Sequence, residues 1–521
     1  MNSETEKMNR REFALAGGSV ALGALCPGAF GVARAQQPDG SFSRATVIEA
    51  ARRLAKERHR PPAKVAPPFS TLGYDQYRDI QFRSERAVWV DESRGFALEL
   101  LHAGFIYETP VEINIVEDGI VKPLSYAPEL FDFGSLSLPQ LRDVPLFSGV
   151  RLRYPINTPG YLDEAAVFQG GSYFRSLGEG QVYGVSARGL AIDTGSARGE
   201  EFPFFRTFWV ERPAVGARLA TVHALLDGPR ISGAFSFQIM PGNSTLMEIE
   251  STLFAREDIT HLGLAPLTSM YLFGSMERPR FADYRVAVHD SDTLAIEEVG
   301  GGWVLRPLAN PGTLQMSSFL ANDVKGFGLQ QRAVAYADYK DLEAKYELRP
   351  STWVQPRQGW GEGQIELVEI PTDREFNDNI VAYWRPAKPL RRGESLSYSY
   401  WLRWGRPALN NALARVKETN GGLTLDQTKR LFVIDFAAPP DVTAPGRRKL
   451  ASYFPDEVTA ELWASAGKVG NVVGYPNRAT GGYRVSFELD VGGVDLAELR
   501  LVLLRGEQAV SETWLYRWTA E

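Results

Sequence analysis

Phe235-Ser236-Phe237-Gln238-Ile239 decides the fold class. Large apolar side chains at every second position turn one face of an extended chain toward a core and leave the other polar, which is the period of a strand and not of a helix. The alternation returns in Val111-Glu112-Ile113-Asn114-Ile115 and Leu396-Ser397-Tyr398-Ser399-Tyr400-Trp401, and again over residues 431–436, 483–489 and 499–503. With 49 glycines and 32 prolines in 521 residues, turn formers are plentiful between these runs. Alternating strands joined by Gly, Pro and Asp turns build antiparallel sandwiches rather than βαβ units. The expected fold class is therefore all-β.

Working outward, Ser43 followed by Val47, Ala50, Ala51, Leu54 and Ala55 has a cap and helical spacing, predicting a helix over residues 43–58 that Pro61 and Pro62 stop. Residues 135–143 and 338–346 carry weaker helical patterns. Gly405, Pro407, Asn410, Asn411, Asn420, Gly421 and Gly422 interrupt the strand pattern, so residues 405–429 read as a linker. It divides a large β-sandwich, residues 36–404, from a small one of immunoglobulin-like size, residues 430–521.

The first 35 residues read differently. Asn9-Arg10-Arg11-Glu12-Phe13 precedes a small-residue apolar stretch ending in Ala33-Arg34-Ala35. This is the pattern of a twin-arginine signal peptide cleaved near Ala35, and it predicts a periplasmic protein. Cys26, the sole cysteine, falls inside it, so the mature chain has no thiol for disulfides, metal or nucleophilic catalysis.

Composition narrows the function. Hydrophobic residues make up 44% and charged residues 23%, which excludes a disordered chain. A net charge of −6 without a basic block argues against nucleic acid and favours a neutral ligand. His59, His102, His223 and His261 are isolated from other His or Cys, and no H-E-x-x-H, G-x-S-x-G or P-loop occurs, so neither metal nor cofactor is expected. His289-Asp290-Ser291-Asp292 and Glu375-Phe376-Asn377-Asp378-Asn379 lie between strand-like runs, with Tyr346, Trp353 and Trp360 between them. Two carboxylates aimed from loops, with aromatic faces to stack on sugars, are what glycosidic-bond chemistry requires.

At these residues the chain resembles the osmoregulated periplasmic glucan biosynthesis proteins, the MdoG/OpgG and OpgD family. The resemblance rests on Gly171-Ser172-Tyr173-Phe174-Arg175, residues 183–194, Leu264-Ala265-Pro266-Leu267-Thr268-Ser269-Met270, His289-Asp290-Ser291-Asp292, Arg349-Pro350-Ser351-Thr352-Trp353-Val354 and Glu512-Thr513-Trp514-Leu515-Tyr516. The export signal looks like the OpgD branch. The resemblance implies a galactose-mutarotase-like large sandwich followed by an immunoglobulin-like one, and membership of glycoside hydrolase family 186, which acts on linear β-1,2-glucan with inversion. By residue matching it makes Asp378 the general acid and Asp290 the general base, with Glu375 and Tyr346 completing a proton relay. Asp378 is then expected to hold the transferable proton and Asp290 to stay ionised. Arg188, Trp353 and Trp360 are expected as sugar contacts in the same cleft. Phe376-Asn377 and a short segment over residues 409–426 depart from the family pattern and bear on whether water or a sugar hydroxyl attacks. Expected partners are linear β-1,2-glucan, membrane-bound glucan synthesis machinery and a second copy in a homodimer. A non-catalytic glucan carrier or scaffold is the alternative.

Overall fold

The computed structural model describes residues 41–139, 142, 144–408, 412–439, 454 and 457–520; the signal peptide and its cleavage site lie outside them. Among the described residues strands dominate, beside two α-helices, Arg44–Lys56 and Tyr74–Arg78.

A ten-stranded antiparallel sheet faces a fifteen-stranded mixed sheet. The first runs, in spatial order, through Ala97–His102, Phe147–Tyr154, Asp163–Gln169, Tyr173–Ser176, Ser186–Arg188, Leu262–Ser269, Ile380–Pro386, Glu362–Glu369 and Gln315–Asn322, with Leu190–Ile192 also paired to Leu262–Ser269. Phenylalanines from both sheets meet between them: the Phe168 and Phe237 rings lie 5.0 Å apart and Phe174 and Phe237 5.1 Å, while Phe205 and Phe235, both of the fifteen-stranded sheet, lie 5.4 Å apart. Gly170 and Gly171, at φ of 81° and 60°, turn the hairpin that presents Phe168 and Phe174 side by side.

The strand Ile231–Met240 contains the deciding stretch, but its polar face is not solvated. The helix Arg44–Lys56 lies over it, burying Val47 and Ala51 against Ala234 and Leu225. Ser232 donates to the Ala51 carbonyl at 2.7 Å, and Arg256 donates to Leu54 at 2.7 Å, placing a cation at the helix C-terminus.

The expected linker is only partly one. Arg415–Leu423 is a strand paired with Arg430–Ala437, at the edge of a four-stranded sheet with Gly482–Asp490 and Lys468–Asn477. The remaining strands of the small sandwich, Val458–Ala464, Leu496–Arg505 and Thr513–Thr519, continue the fifteen-stranded sheet through parallel pairing of Thr513–Thr519 with Trp303–Pro307. Its core also takes in Ala295, Trp303, Leu305 and Trp353 from the large sandwich. Arg332 donates to buried Glu512 at 3.0 Å, tying the two across this seam. The weak helical patterns fail. Of residues 338–346 only the ends touch 3₁₀ turns, Tyr336–Asp338 and Tyr346–Leu348, and residues 135–139 and 142 are not helical.

A shared sheet and a shared core lead us to expect a single unfolding transition for the two sandwiches. Trp514→Ala, at the centre of the small core, should cost about 3–5 kcal/mol and move one calorimetric transition. Two resolved transitions, with only one displaced by the substitution, would show that the sandwiches unfold independently.

Candidate functional site

Asp290 follows the short strand Val288–His289, and its N–H donates to the Met270 carbonyl at 2.8 Å. The side chain is buried, and Arg349 donates to its Oδ1. Burial is the main force on this carboxyl and raises it to about 6; Arg349 opposes the shift, Asp378 adds to it and Arg175 again opposes it.

Two neighbours hold this loop. Gln331 donates through Nε2 to the carbonyls of His289 (2.9 Å) and Tyr346 (3.0 Å), so its Oε1 faces His289 Nδ1 at 2.9 Å. With the amide so oriented, the His289 proton is assigned to Nδ1. Burial lowers the pKa of His289, which stays a neutral ring stacked on Tyr271 at 5.3 Å. Asp292, the second carboxylate of the motif, accepts the N–H groups of Arg332 (2.8 Å) and Ala333 (3.0 Å). It caps a loop.

Asp378 sits on the loop leading into Ile380–Pro386, with Arg175 Nη2 at 3.9 Å and a side chain 29% exposed. Its neighbour Asn379 fixes the loop. That side chain accepts from Tyr271 N–H at 2.8 Å and donates to the carbonyls of Tyr271 and Ile370, each at 3.0 Å. Asp290 and Asp378 thus reach one place from opposite ends of the Tyr271–Asn379 contact.

Glu375 accepts from Arg285 at 2.7 Å and from the Tyr346 hydroxyl at 3.2 Å, both on Oε2. Arg285 also binds Asp341 (3.1 Å) and Asp283 (2.7 Å), clamping three loops. The Arg349 guanidinium lies 4.3 Å over the Tyr346 ring while donating to Asp290. Burial raises the Tyr346 phenol, so it remains a donor. One connected set therefore runs from Arg285 through Glu375, Tyr346 and Arg349 to Asp290, with Arg175 and Asp378 beside it.

The expected sugar contacts fare differently. Arg188 is on the same sheet as Arg175, buried, donating to Thr268 (2.8 Å) and Glu200 (2.5 Å). Trp353 is not in the groove: it stacks on Trp303 at 5.2 Å inside the small core, where it packs against Gly326. Trp360 packs edge-on to Tyr398 and Tyr400 beyond the Gly363 end of the ladder that joins Glu362–Glu369 to Ile380–Pro386. Asp378 is at the other end, roughly 20 Å away at ~3.3 Å per residue. Sequence reasoning missed Arg175, Arg285, Arg349 and Asn379, although Arg175 and Arg349 stand in segments that carried the resemblance.

Fold and side chains together give an all-β double sandwich with a cluster of carboxylate, arginine and tyrosine side chains on its loops. The chain matches the family described as "Periplasmic glucan biosynthesis protein, MdoG" over residues 42–518. It is 45% identical over 493 residues to the glucans biosynthesis protein G of Vibrio cholerae serotype O1, covering 92% of this chain and 87% of that one. With its counterpart in Bradyrhizobium diazoefficiens it shares 43% over 516 residues, covering 98% and 100%. The chain belongs to the MdoG family, which makes it a periplasmic protein of glucan biosynthesis. Both relatives carry the G name, whereas the export signal alone had pointed to the D branch. A galactose mutarotase related enzyme from Lactobacillus acidophilus overlaps 49% of this chain and 94% of that one at 9% identity and a TM-score of 0.21, so the fold description rests on the strand topology above.

The Arg349 contact gives a pH-dependent prediction. In Arg349→Met the Asp290 carboxyl loses its counter-charge and its proton affinity rises further. Stability should fall by about 3 kcal/mol at pH 8, where wild-type Asp290 is ionised and the variant must bury an unpaired charge or take up a proton, and by much less at pH 5, where Asp290 is protonated in both. Urea unfolding at the two pH values reads this; an equal loss at both would mean that Arg349 serves Asp290 by packing and not by charge.

Proposed function

We propose that this protein cleaves or re-joins linear β-1,2-glucan with inversion during periplasmic glucan maturation, after export by the twin-arginine route and cleavage near Ala35. The observation that carries this reading is the proximity of Asp290 and Asp378, which come from separate loops: the Asp378 charge acts on Asp290, and Arg175 stands by both. Inverting chemistry needs two carboxyls at one bond; burial raises Asp290, where the sequence leads us to expect the raised carboxyl at Asp378, so the acid and base roles rest on the family resemblance and not on these environments.

Asp378 is the general acid. It is open to the groove, where a bound chain displaces water from it, and Arg175 orients it toward the glycosidic oxygen. Asp290 is the general base. Its Oδ1 is held by Arg349, so Oδ2 collects the proton of the attacking oxygen. Because Asp290 is buried, that proton arrives through a water or a hydroxyl, and Tyr346 with Glu375 lines the route. Attack by water gives hydrolysis; attack by a glucose hydroxyl gives transglycosylation, and ring closure when that hydroxyl belongs to the same chain. The closed product then has one water less in mass than the linear oligomer. A carrier that presents glucan to membrane-bound synthesis machinery would use the same groove without bond breaking.

Replacing Asp378 by Asn keeps the shape and removes the proton, so turnover of linear β-1,2-glucan should fall by ~10² to 10⁴ while binding persists; Asp290→Asn should behave alike. For wild type, kcat/KM should fall about tenfold per pH unit below about pH 6, because a base raised to about 6 gains a proton as the pH drops through that value. Product mass spectrometry checks all three. Activity within a few-fold of wild type in Asp378→Asn rejects the acid assignment, and an inactive wild type that still binds glucan supports the carrier instead.

A further inference from the structure

A cavity of about 840 Å³ lies apart from the Asp290 and Asp378 cluster. Its walls come from residues 59–64 after the first helix, the loop over 193–204 and the turn over 228–230, with Gly171 and Thr109. Phe202 stands in it 56% exposed, so its ring offers an apolar face to a ligand. Beneath is the buried Arg188, whose guanidinium is held between two rings, 5.5 Å from the Phe202 centroid and 5.0 Å from that of Tyr173. Glu200 and Thr268 fix that guanidinium through hydrogen bonds, so the Phe202 face rests on a fixed support.

The charges in the wall are balanced. Lys64, Arg198 and Arg230 stand against Asp193, Glu200 and Glu201. Arg230 spends Nε on Glu201 and Nη2 on Asp193, each at 2.6 Å, and Lys64 binds Glu108 at 2.8 Å. A charged ligand would compete with the Arg230 and Lys64 pairs, whereas a neutral polyhydroxylated one hydrogen-bonds to their free edges and lays C–H groups on Phe202. Gly171 of the wall leads into the strand Tyr173–Ser176, which runs toward the chemistry. Tyr173 pairs across the ladder with Arg188 and shares its strand face with Arg175, about 7 Å further along, which is the residue beside Asp378.

We propose that this cavity is a distal sugar-binding site of the groove that holds Asp378, so that the protein senses how far a glucan chain extends beyond the reacting bond. The inference rests on the proposed glucan reading and adds length selection to it. A chain too short to reach Phe202 is held only near Asp378, and a longer one gains the stacking contact.

Calorimetric binding of linear β-1,2-glucans of increasing length, in the inactive Asp378→Asn background, tests this without turnover. Affinity should step up once the chain spans the two places, and Phe202→Ala should remove most of that step, about three- to tenfold. Phe202→Trp keeps an aromatic face and should restore it, which separates stacking from a folding defect. The proposal is overturned if Phe202→Ala retains the full step. It is overturned together with the glucan reading if the Asp378→Asn protein binds no linear β-1,2-glucan of any length while remaining folded.

Discussion

A carboxyl as buried as Asp290 can keep a charge near neutral pH only with a cation against it, and the site is arranged around that requirement. Arg349 supplies the cation, lies on the Tyr346 ring, and through Tyr346 is coupled to Glu375 and Arg285. Tyr346 and Arg349 share one turn while Asp290, Arg285 and Glu375 come from others, so the loops must be held in register. Gln331 and Asn379 do this with backbone hydrogen bonds that leave the carboxylates free for other work. Without Arg349, burial would drive Asp290 toward its neutral form and the set would lose its base.

The two sandwiches serve this arrangement through continuity. The fifteen-stranded sheet runs from the small sandwich into the large, and Glu512 accepts from both Arg332 and the Val416 N–H. Arg332 in turn donates its N–H to Asp292, two residues from Asp290. The small sandwich is therefore bound to the loop that carries the proposed base, which gives its retention a structural reason beyond bulk.

Much of the fold was legible because strand alternation is a local signal. Residues 235–239 and 396–401 fall inside strands, and Ser43 marks the helix start within one residue. The strand Arg415–Leu423 was not legible, since an edge strand with Lys417, Glu418, Gly421 and Gly422 lacks a buried face to impose a period. Nor could sequence tell which tryptophans meet sugar. Trp353 and Trp360 have the right chemistry, but strand parity and position on the ladder turn both into cores. The arginines were hidden for another reason: Arg349 and Asp290, or Arg285 and Glu375, are partners only after folding, and no local pattern announces such a pair. The acidic pair itself was readable only through the family resemblance, which supplied the roles that spacing left open.

The account's central claim is that Asp378 and Asp290 act on opposite faces of one glycosidic bond, which inverts the anomeric centre. Proton NMR of the first products released from linear β-1,2-glucan, recorded before mutarotation, tests it most directly. The account predicts that the newly formed anomeric centre appears first in the α configuration; initial release in the β configuration would contradict it.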